Sequence, residues 1–316
     1  MQVIRNKNNF IKDVAKLQQQ KHRDVHGVFV VEGLRGVQDT IRHYCDLDDN
    51  FQKKSIEVSK SNNIVEASKS NAQNSTNNLI KKQDIVYICI NESFYKENTE
   101  FVDRVQNINI ELYVIADIVF AGMCETQNSQ GILAVVRMFK VGIDDVDVGA
   151  LSAIHHHCLY LDRIRDPGNM GTILRTAVAA GFNLVFLDNC VDVYSPKVVR
   201  SAVSALSHLK LVYINHTDNK DNKDNKDNIS SNTNPLDIIK SHYKLIGTSP
   251  IGENMYTAIL SDKNKCLVIG NEANGISDEI LKACDIVLSL PMHSMESLNA
   301  SVAAGVVMYH MEWGRK

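Results

Sequence analysis

The sequence predicts an α/β protein in two parts, a small α/β unit followed by a larger domain on a mainly parallel sheet. From about residue 151 onward, short apolar runs alternate with helical patterns, the signature of βαβ units. Just before that, Lys140 to Gly149 carries Asp144, Asp145 and Asp147 and little apolar periodicity, so residues 140–150 read as a linker. The chain is 316 residues long and 44% hydrophobic, enough for more than one buried core.

The first part spans residues 1–139. Phe10, Val14 and Leu17 fall at helical spacing, and Val28 to Gly33 (VFVVEG) reads as a buried strand entering a helix with Leu34, Val37 and Ile41 inside. Residues 50–83 turn to Asn, Ser and Lys, a composition that cannot build a core and predicts a mobile insertion. Apolar runs return at Ile85 to Ile90, Ile110 to Ile115 and Gly131 to Met138, with a short helix near Asp117 to Ala121.

In the second part, residues 151–316, strands are expected at His157 to Leu161, Leu184 to Leu187, Leu209 to Ile214, Lys244 to Thr248, Cys266 to Gly270 and Ile286 to Leu290. Helices are expected from Asn169 or Gly171 to Gly181, and over Pro196 to Leu206, Leu236 to Ser241, Ser277 to Ala283 and Leu298 to Trp313. A low-complexity insertion at about 218–234, with the repeat DNKDNKDN, reads as a solvated loop.

The net charge of −3 argues against a protein that coats nucleic acid through overall charge, yet a local basic face suffices for RNA. Arg5, Lys7, Lys12, Lys16, Lys21 and Arg23 supply one candidate, and a solvated helix face is the plainer reading of the same run. The seven cysteines are scattered without a C-x-x-C pair, as expected of reduced structural thiols in a cytoplasmic protein. No leader or membrane span is apparent. The triplet His155, His156, His157 lies in a strand, where neighbouring side chains point to opposite faces, so no metal site is expected.

Polar, glycine-bearing loops follow three of the strands in the second part, where open α/β sheets bind ligands. The first is LDRIRDPGNMGTILRTAVAAG, residues 161–181. Pro167 and Gly168 predict a tight turn there, followed by a helix whose free N–H groups suit an anion, with Asn169 and Arg175 beside it. The second is VIGNEANGIS, residues 268–277, where glycines permit close approach of a flat ligand and Glu272 supplies a carboxylate. The third is LPMHSMESLNASVAAG, residues 290–305, where Pro291 ends the strand and Ser297 or Asn299 can cap a helix rich in small residues.

Together and in this order, the three loops resemble the signature motifs of the SpoU (TrmH) family of RNA ribose 2′-O-methyltransferases, within the SPOUT superfamily. The likeness covers Leu159 to Trp313. More weakly, KNNFIKDVAKL, FVVEG and NSQGILAVV resemble the family's substrate-binding domain of ribosomal-protein-like fold. The resemblance implies a C-terminal domain tied in a trefoil knot, S-adenosylmethionine as cofactor, and a homodimer. Gly270, Leu290 and Leu298 match cofactor-contacting positions, and Thr248 is a further candidate. Arg175 matches the catalytic position. Arginine is a poor base because its free pKa lies above about 12, so phosphate anchoring and stabilisation of a forming alkoxide suit it better, with proton removal as the alternative. Asn169 would hold the first loop, Glu272 would orient Arg175 or the nucleotide, and Ser297 and Asn299 would complete the polar wall. In DVYSPKVVRSA, Asp192, Lys197 and Arg200 resemble an RNA-facing stretch, with Lys197 and Arg200 neutralising phosphates.

The sequence departs from the family pattern at Ala273, at Ser294, and in a loop between Met292 and Ser297 that is one residue shorter. The expected function is 2′-O-methylation of RNA, with ribosomal RNA favoured over transfer RNA because of the appended N-terminal domain. The competing readings are a non-catalytic ribosome-assembly factor on the same scaffold and an enzyme that methylates a base.

Overall fold

The computed structural model describes residues 3–6, 8–44, 84–214, 234–260, 264–295 and 297–314. Residues 50–83 and the DNKDNKDN repeat, both read as insertions, lie outside them.

The first part builds a five-stranded mixed sheet from β1 (Val3–Ile4), β2 (Val28–Glu32), β3 (Ile85–Asn91), β4 (Leu112–Ile115) and β5 (Ile132–Arg137), in the order β1-β4-β3-β5-β2. Its helices are α1 (Asn9–Lys16), α2 (Gln20–His26), α3 (Leu34–Tyr44), α4 (Glu92–Glu97), α5 (Thr99–Asn107) and α6 (Asp117–Ala121). Asn8 and Asn91 cap α1 and α4 through their side-chain oxygens, satisfying otherwise orphaned N–H groups. The sequence reading passed over α2, α4 and α5, although Phe94, Phe101, Val102 and Val105 are buried at helical spacing in the last two.

The second part is a seven-stranded sheet in the order β12-β10-β11-β7-β8-β9-β6, and every neighbouring pair is parallel. Its edge strand β6 (Val141–Gly142) and helix α7 (Val148–Ile154) come from the stretch read as a linker. Asp147 caps α7 by accepting from the Ala150 N–H, so an acid that looked like a linker signal starts a helix. Then come β7 (His157–Asp162), α8 (Pro167–Ala179), β8 (Leu184–Asp188), α9 (Pro196–Ala202), β9 (Lys210–Tyr213), α10 (Pro235–Lys240), β10 (Lys244–Asn254), β11 (Lys265–Ile269), α11 (Asp278–Ala283), β12 (Ile286–Ser289) and α12 (Ala300–Trp313). The helix expected over Pro196 to Leu206 breaks after Ala202, where Val203 and Ser204 take left-handed backbone angles before a short 3₁₀ turn.

Strand side chains alternate between faces, and the two sides of the parallel sheet bury separate sets. Leu159 and Leu161 of β7, Val185 and Leu187 of β8, and Leu267 and Ile269 of β11 pack beneath α8 and α12. Cys158, Tyr160, Leu184, Phe186, Cys266 and Val268 pack on the other side with Leu236, Ile239 and Ile280 of α10 and α11. The core beneath α8 also runs without interruption into Phe29, Val31, Val37 and Ile41 of the first part.

The register aligns Leu161 with both Ile269 and Leu187, so β7, β8 and β11 end level. The loops that leave β7 and β11 therefore emerge side by side. After β12 the chain returns across β10 and β11 and lays α12 against α8, bringing the third loop to the same end. Gly305 of α12 faces the Thr176 methyl of α8, while Ser301 and Ala304 are buried.

Candidate active site

Helix α8 begins two residues earlier than the nearer of the starts expected from sequence. Asp166 is its N-cap and accepts from the Asn169 N–H at 2.8 Å, while Pro167 occupies the first helical turn, where its missing N–H costs nothing. Gly168 is thus a helical residue and not part of a separate tight turn. The backbone specialty of this loop belongs instead to Arg163, at φ +54°.

Asn169, in the first turn of α8, joins the three loops. Its side-chain N–H donates to Glu272 Oε1 at 3.1 Å, and its Oδ1 accepts from the Asn299 amide at 2.9 Å. Asn299 in turn caps α12, accepting from the Ser301 N–H at 2.9 Å and from the Ser301 hydroxyl at 2.6 Å. Glu272 also accepts from the backbone N–H groups of Asp166 at 3.1 Å and Arg165 at 3.3 Å. Partial burial opposes the charge on Glu272, but bonds from its own backbone N–H, Asn169, Asp166 and Arg165 outweigh it and hold the carboxyl below the usual glutamate range.

A second set of bonds closes the junction from behind. Asp162 is almost fully buried at the end of β7 and receives two bonds from Arg163, Nε at 2.7 Å and Nη2 at 2.9 Å, and one from the Ser277 N–H at 2.7 Å. The Asn271 side chain donates to the Arg163 carbonyl at 2.9 Å, and Arg163 Nη2 reaches the Gly275 carbonyl at 3.3 Å. The sequence reading missed Asp162 and Arg163. The available signal was a charged residue closing an otherwise apolar strand, which a fully buried position tolerates only when paired.

Gly270 is required by packing, because the turn folds back through a bridge between Asn271 and Gly275 and a Cβ at Gly270 would strike the backbone of Gly275 and Ile276. Thr248 donates its hydroxyl to the Val268 carbonyl at 3.2 Å, tying β10 to β11. Leu290 is half-buried against the core, whereas Leu298, Met292 and Met295 are exposed. Among the described residues, the stretch from Leu290 to Leu298 makes no hydrogen bond; Ser297 lies in it and is exposed. Free backbone donors and acceptors beside exposed apolar side chains suit a ligand with a polar, flat end and an apolar body. The residues matched to cofactor contacts therefore fit an adenosyl group.

Arg175 lies about 9 Å further along the α8 axis than Asn169. It is exposed, and its side chain makes no hydrogen bond or ion pair among the described residues. Of the two partners expected for Glu272, Arg175 and the nucleotide, Arg175 is not met, since Glu272 is engaged by Asn169 and the first-loop backbone. Lys197 is exposed on α9, but Arg200 forms an ion pair with Glu125 of the first part. Three of the basic residues near the N-terminus are likewise drawn into pairs: Arg5 with Glu92, Lys16 with Asp13, and Arg23, nearly fully buried, with Asp192. The three histidines diverge, His156 meeting Asn264, and His157 meeting Glu312 and the Phe182 ring.

A profile of the SpoU rRNA methylase family matches residues 156–309, and one of the MRM3-like substrate-binding domain matches residues 8–134. The chain is 28% identical over 225 residues to the 23S rRNA (guanosine(2553)-2′-O)-methyltransferase RlmP of Bacillus subtilis, covering 70% of this chain and 80% of that protein. It is 30% identical over 226 residues to an uncharacterized tRNA/rRNA methyltransferase of Synechocystis, covering 70% and 74%. Among solved structures, the AdoMet-bound rRNA methyltransferase of Sinorhizobium meliloti shares the fold at a TM-score of 0.68 and 20% identity, covering 98% of this chain and 97% of that one. AviRb of Streptomyces viridochromogenes with AdoMet shares it at 0.65 and 21%, covering 96% of each.

Proposed function

This chain belongs to the SpoU family of RNA methyltransferases, and on that premise we propose that it transfers a methyl group from S-adenosylmethionine to a ribose 2′-hydroxyl of ribosomal RNA. The observation that carries this reading is the bonded series Asn299, Asn169, Glu272, which gathers the three loops at the start of α8, the helix that also carries Arg175. The named activity of the Bacillus subtilis relative supports ribose over base and ribosomal over transfer RNA.

The cofactor supplies an electrophilic methyl group on a sulfonium. Gly270, Leu290 and Leu298 would hold it, with free backbone groups of 290–295, 297 and 298 meeting its polar end and Thr248 keeping β10 against β11. A ribose hydroxyl is a weak nucleophile at neutral pH, so its placement matters most. Arg175, with no side-chain partner to surrender, anchors the adjoining phosphate and steadies negative charge as the hydroxyl proton passes to solvent water. Asn169 and Glu272 keep the first loop in one shape, and Ser297 and Asn299 form the polar wall opposite. Lys197 meets the RNA backbone, and Arg200 joins it by exchanging Glu125 for a phosphate.

We place the enzyme in the cytoplasm. Among the described residues no helix is long and apolar enough to cross a membrane. The return of the chain from β12 to α12 is the segment we assign to the knot. We also read it as a homodimer, through the outer face of α12. The small-residue side of α12 packs on α8, while Val302, Val306, Tyr309 and Trp313 form an exposed apolar stripe on the other side.

The experiment is transfer of labelled methyl to unmodified RNA and to ribosomal subunits, wild type beside Arg175→Ala, followed by alkaline hydrolysis. Label in alkali-resistant dinucleotides that disappears in the variant supports the reading. Label in alkali-sensitive mononucleotides would assign the methyl to a base. Cofactor binding without transfer to either substrate would favour the assembly-factor reading.

A further inference from the structure

The contact between the two parts centres on a buried charge pair. Arg23, at the end of α2, is 3% exposed and its Nη2 donates to Asp192 Oδ2 at 2.6 Å, Asp192 being 11% exposed. Arg23 Nη1 also donates to the carbonyls of Leu17 and Gln18, each at 2.7 Å, so the guanidinium closes the end of α1 as it reaches the second part. Asp192 Oδ1 accepts from the Tyr194 N–H at 3.0 Å. The Tyr194 hydroxyl donates to the Phe139 carbonyl at 2.8 Å and accepts from the Phe139 N–H at 3.1 Å, and its ring lies 4.8 Å from that of Phe29 in β2. Around this centre, Lys140 pairs with Asp24 at 2.5 Å and Ser204 donates to Asp39 at 3.0 Å.

These contacts lead directly to the candidate active site. The segment they hold, 192–204, contains α9, and α9 packs against α8 so closely that a Cβ on Gly171 would strike Ser201 and Ala202. Gly171 lies between Asn169 and Arg175. The first part is therefore fixed to the helix that carries the candidate catalytic residues, through a continuous core and a buried pair. Buried ion pairs add little net stability but penalise other arrangements, since any shift strands an unpaired charge.

We propose that Arg23 and Asp192 are positioning residues that hold the first part in a single orientation against α8, so that RNA bound by that part is delivered to Arg175 in one register. This rests on the reading of the chain as an RNA methyltransferase. A rigid connection keeps the second contact at high effective concentration, which a loose linker dilutes.

The test compares wild type, Asp192→Asn and Asp192→Glu by hydrogen exchange and by steady-state methyl transfer. Asp192→Asn should speed exchange at 136–141 and 28–32 while β7 and β11 stay protected. The KM for RNA should rise about tenfold, with kcat at saturating RNA and the cofactor Kd near wild type. Asp192→Glu, which keeps the charge, should recover most of the KM. An unchanged KM alongside faster interface exchange would overturn the proposal, as would a parallel loss of cofactor affinity, which marks general unfolding. If wild type methylates no RNA, the functional reading falls. Exchange rates and the RNA Kd from gel shift then decide the clamp by the same pattern.

Discussion

Asn169 and Asn299 are 130 residues apart in sequence, and the Asn299 amide donates to the Asn169 carbonyl oxygen at 2.9 Å. Each sits at the start of a helix, α8 and α12, so the bond fixes the two helix starts against each other. Because Asn169 spends its own N–H on Glu272, its orientation is set from both sides.

Asn169→Ala removes both bonds while leaving the Asp166 cap in place. Stability should fall by only about 1 kcal/mol, as for one partly exposed hydrogen-bonded side chain. Turnover should fall about 100-fold through misplacement of the loops. Asn169→Asp should be worse than Ala, since it sets a carboxylate against Glu272. Urea melts beside single-turnover rates check both parts.

Arg175 carries no structural bond, so Arg175→Ala should change stability by no more than about 0.5 kcal/mol. Its rate should nonetheless drop about 100-fold or more. Arg175→Lys keeps the charge without the fork and should recover only part of the loss. Full activity in Arg175→Lys would exclude a bidentate role.

Glu272 has a lowered pKa in the fold relative to its ordinary value of 4.5. Its contribution to stability is fully present above that ordinary value and is lost as pH falls through the lowered folded value. Tm measured from about pH 6 downward should therefore fall more steeply for wild type than for Glu272→Gln, with the two curves converging at the acid end. Parallel curves would show that the carboxylate charge does not hold the loops.

Two glycines of the second loop should respond differently to alanine. Gly270→Ala places a Cβ into the backbone of Gly275 and Ile276 and should cost about 3 kcal/mol, together with cofactor affinity. Gly275 has φ +67° and open space around it, so Gly275→Ala should cost about 1 kcal/mol from backbone strain alone. Equal losses would mean that strain, not the collision, governs this turn.

The apolar stripe on α12 gives a direct test of the dimer. Val306→Arg combined with Tyr309→Arg changes only exposed positions, so the fold should persist while the mass from light scattering halves. An unchanged mass would remove this face from the interface.

Sequence reading located six of the seven strands of the parallel sheet, missing only β6, and three of the residues that meet, Asn169, Glu272 and Asn299, because each lies in a short motif after an apolar run. It offered Glu272 either Arg175 or the nucleotide as a partner, since a carboxylate attracts a guanidinium and accepts hydrogen bonds from a nucleotide. In the fold Glu272 is taken by Asn169 and by the N–H groups of Arg165 and Asp166. It also counted Arg23 and Arg200 among basic surface groups. Both turn toward acids of the other part, and no local pattern distinguishes a charge facing water from one facing a distant partner.

Local chemistry thus determined what could be read locally: the α/β class, the strand and helix periods, the capping asparagines and the three loops, all set by residues within a few positions of one another. Tertiary structure alone decided which loops touch, that Glu272 turns to Asn169 and not to Arg175, and how the two parts lock. Those choices depend on the strand order that sets β11 between β10 and β7, and on charges desolvated together from segments far apart in the chain.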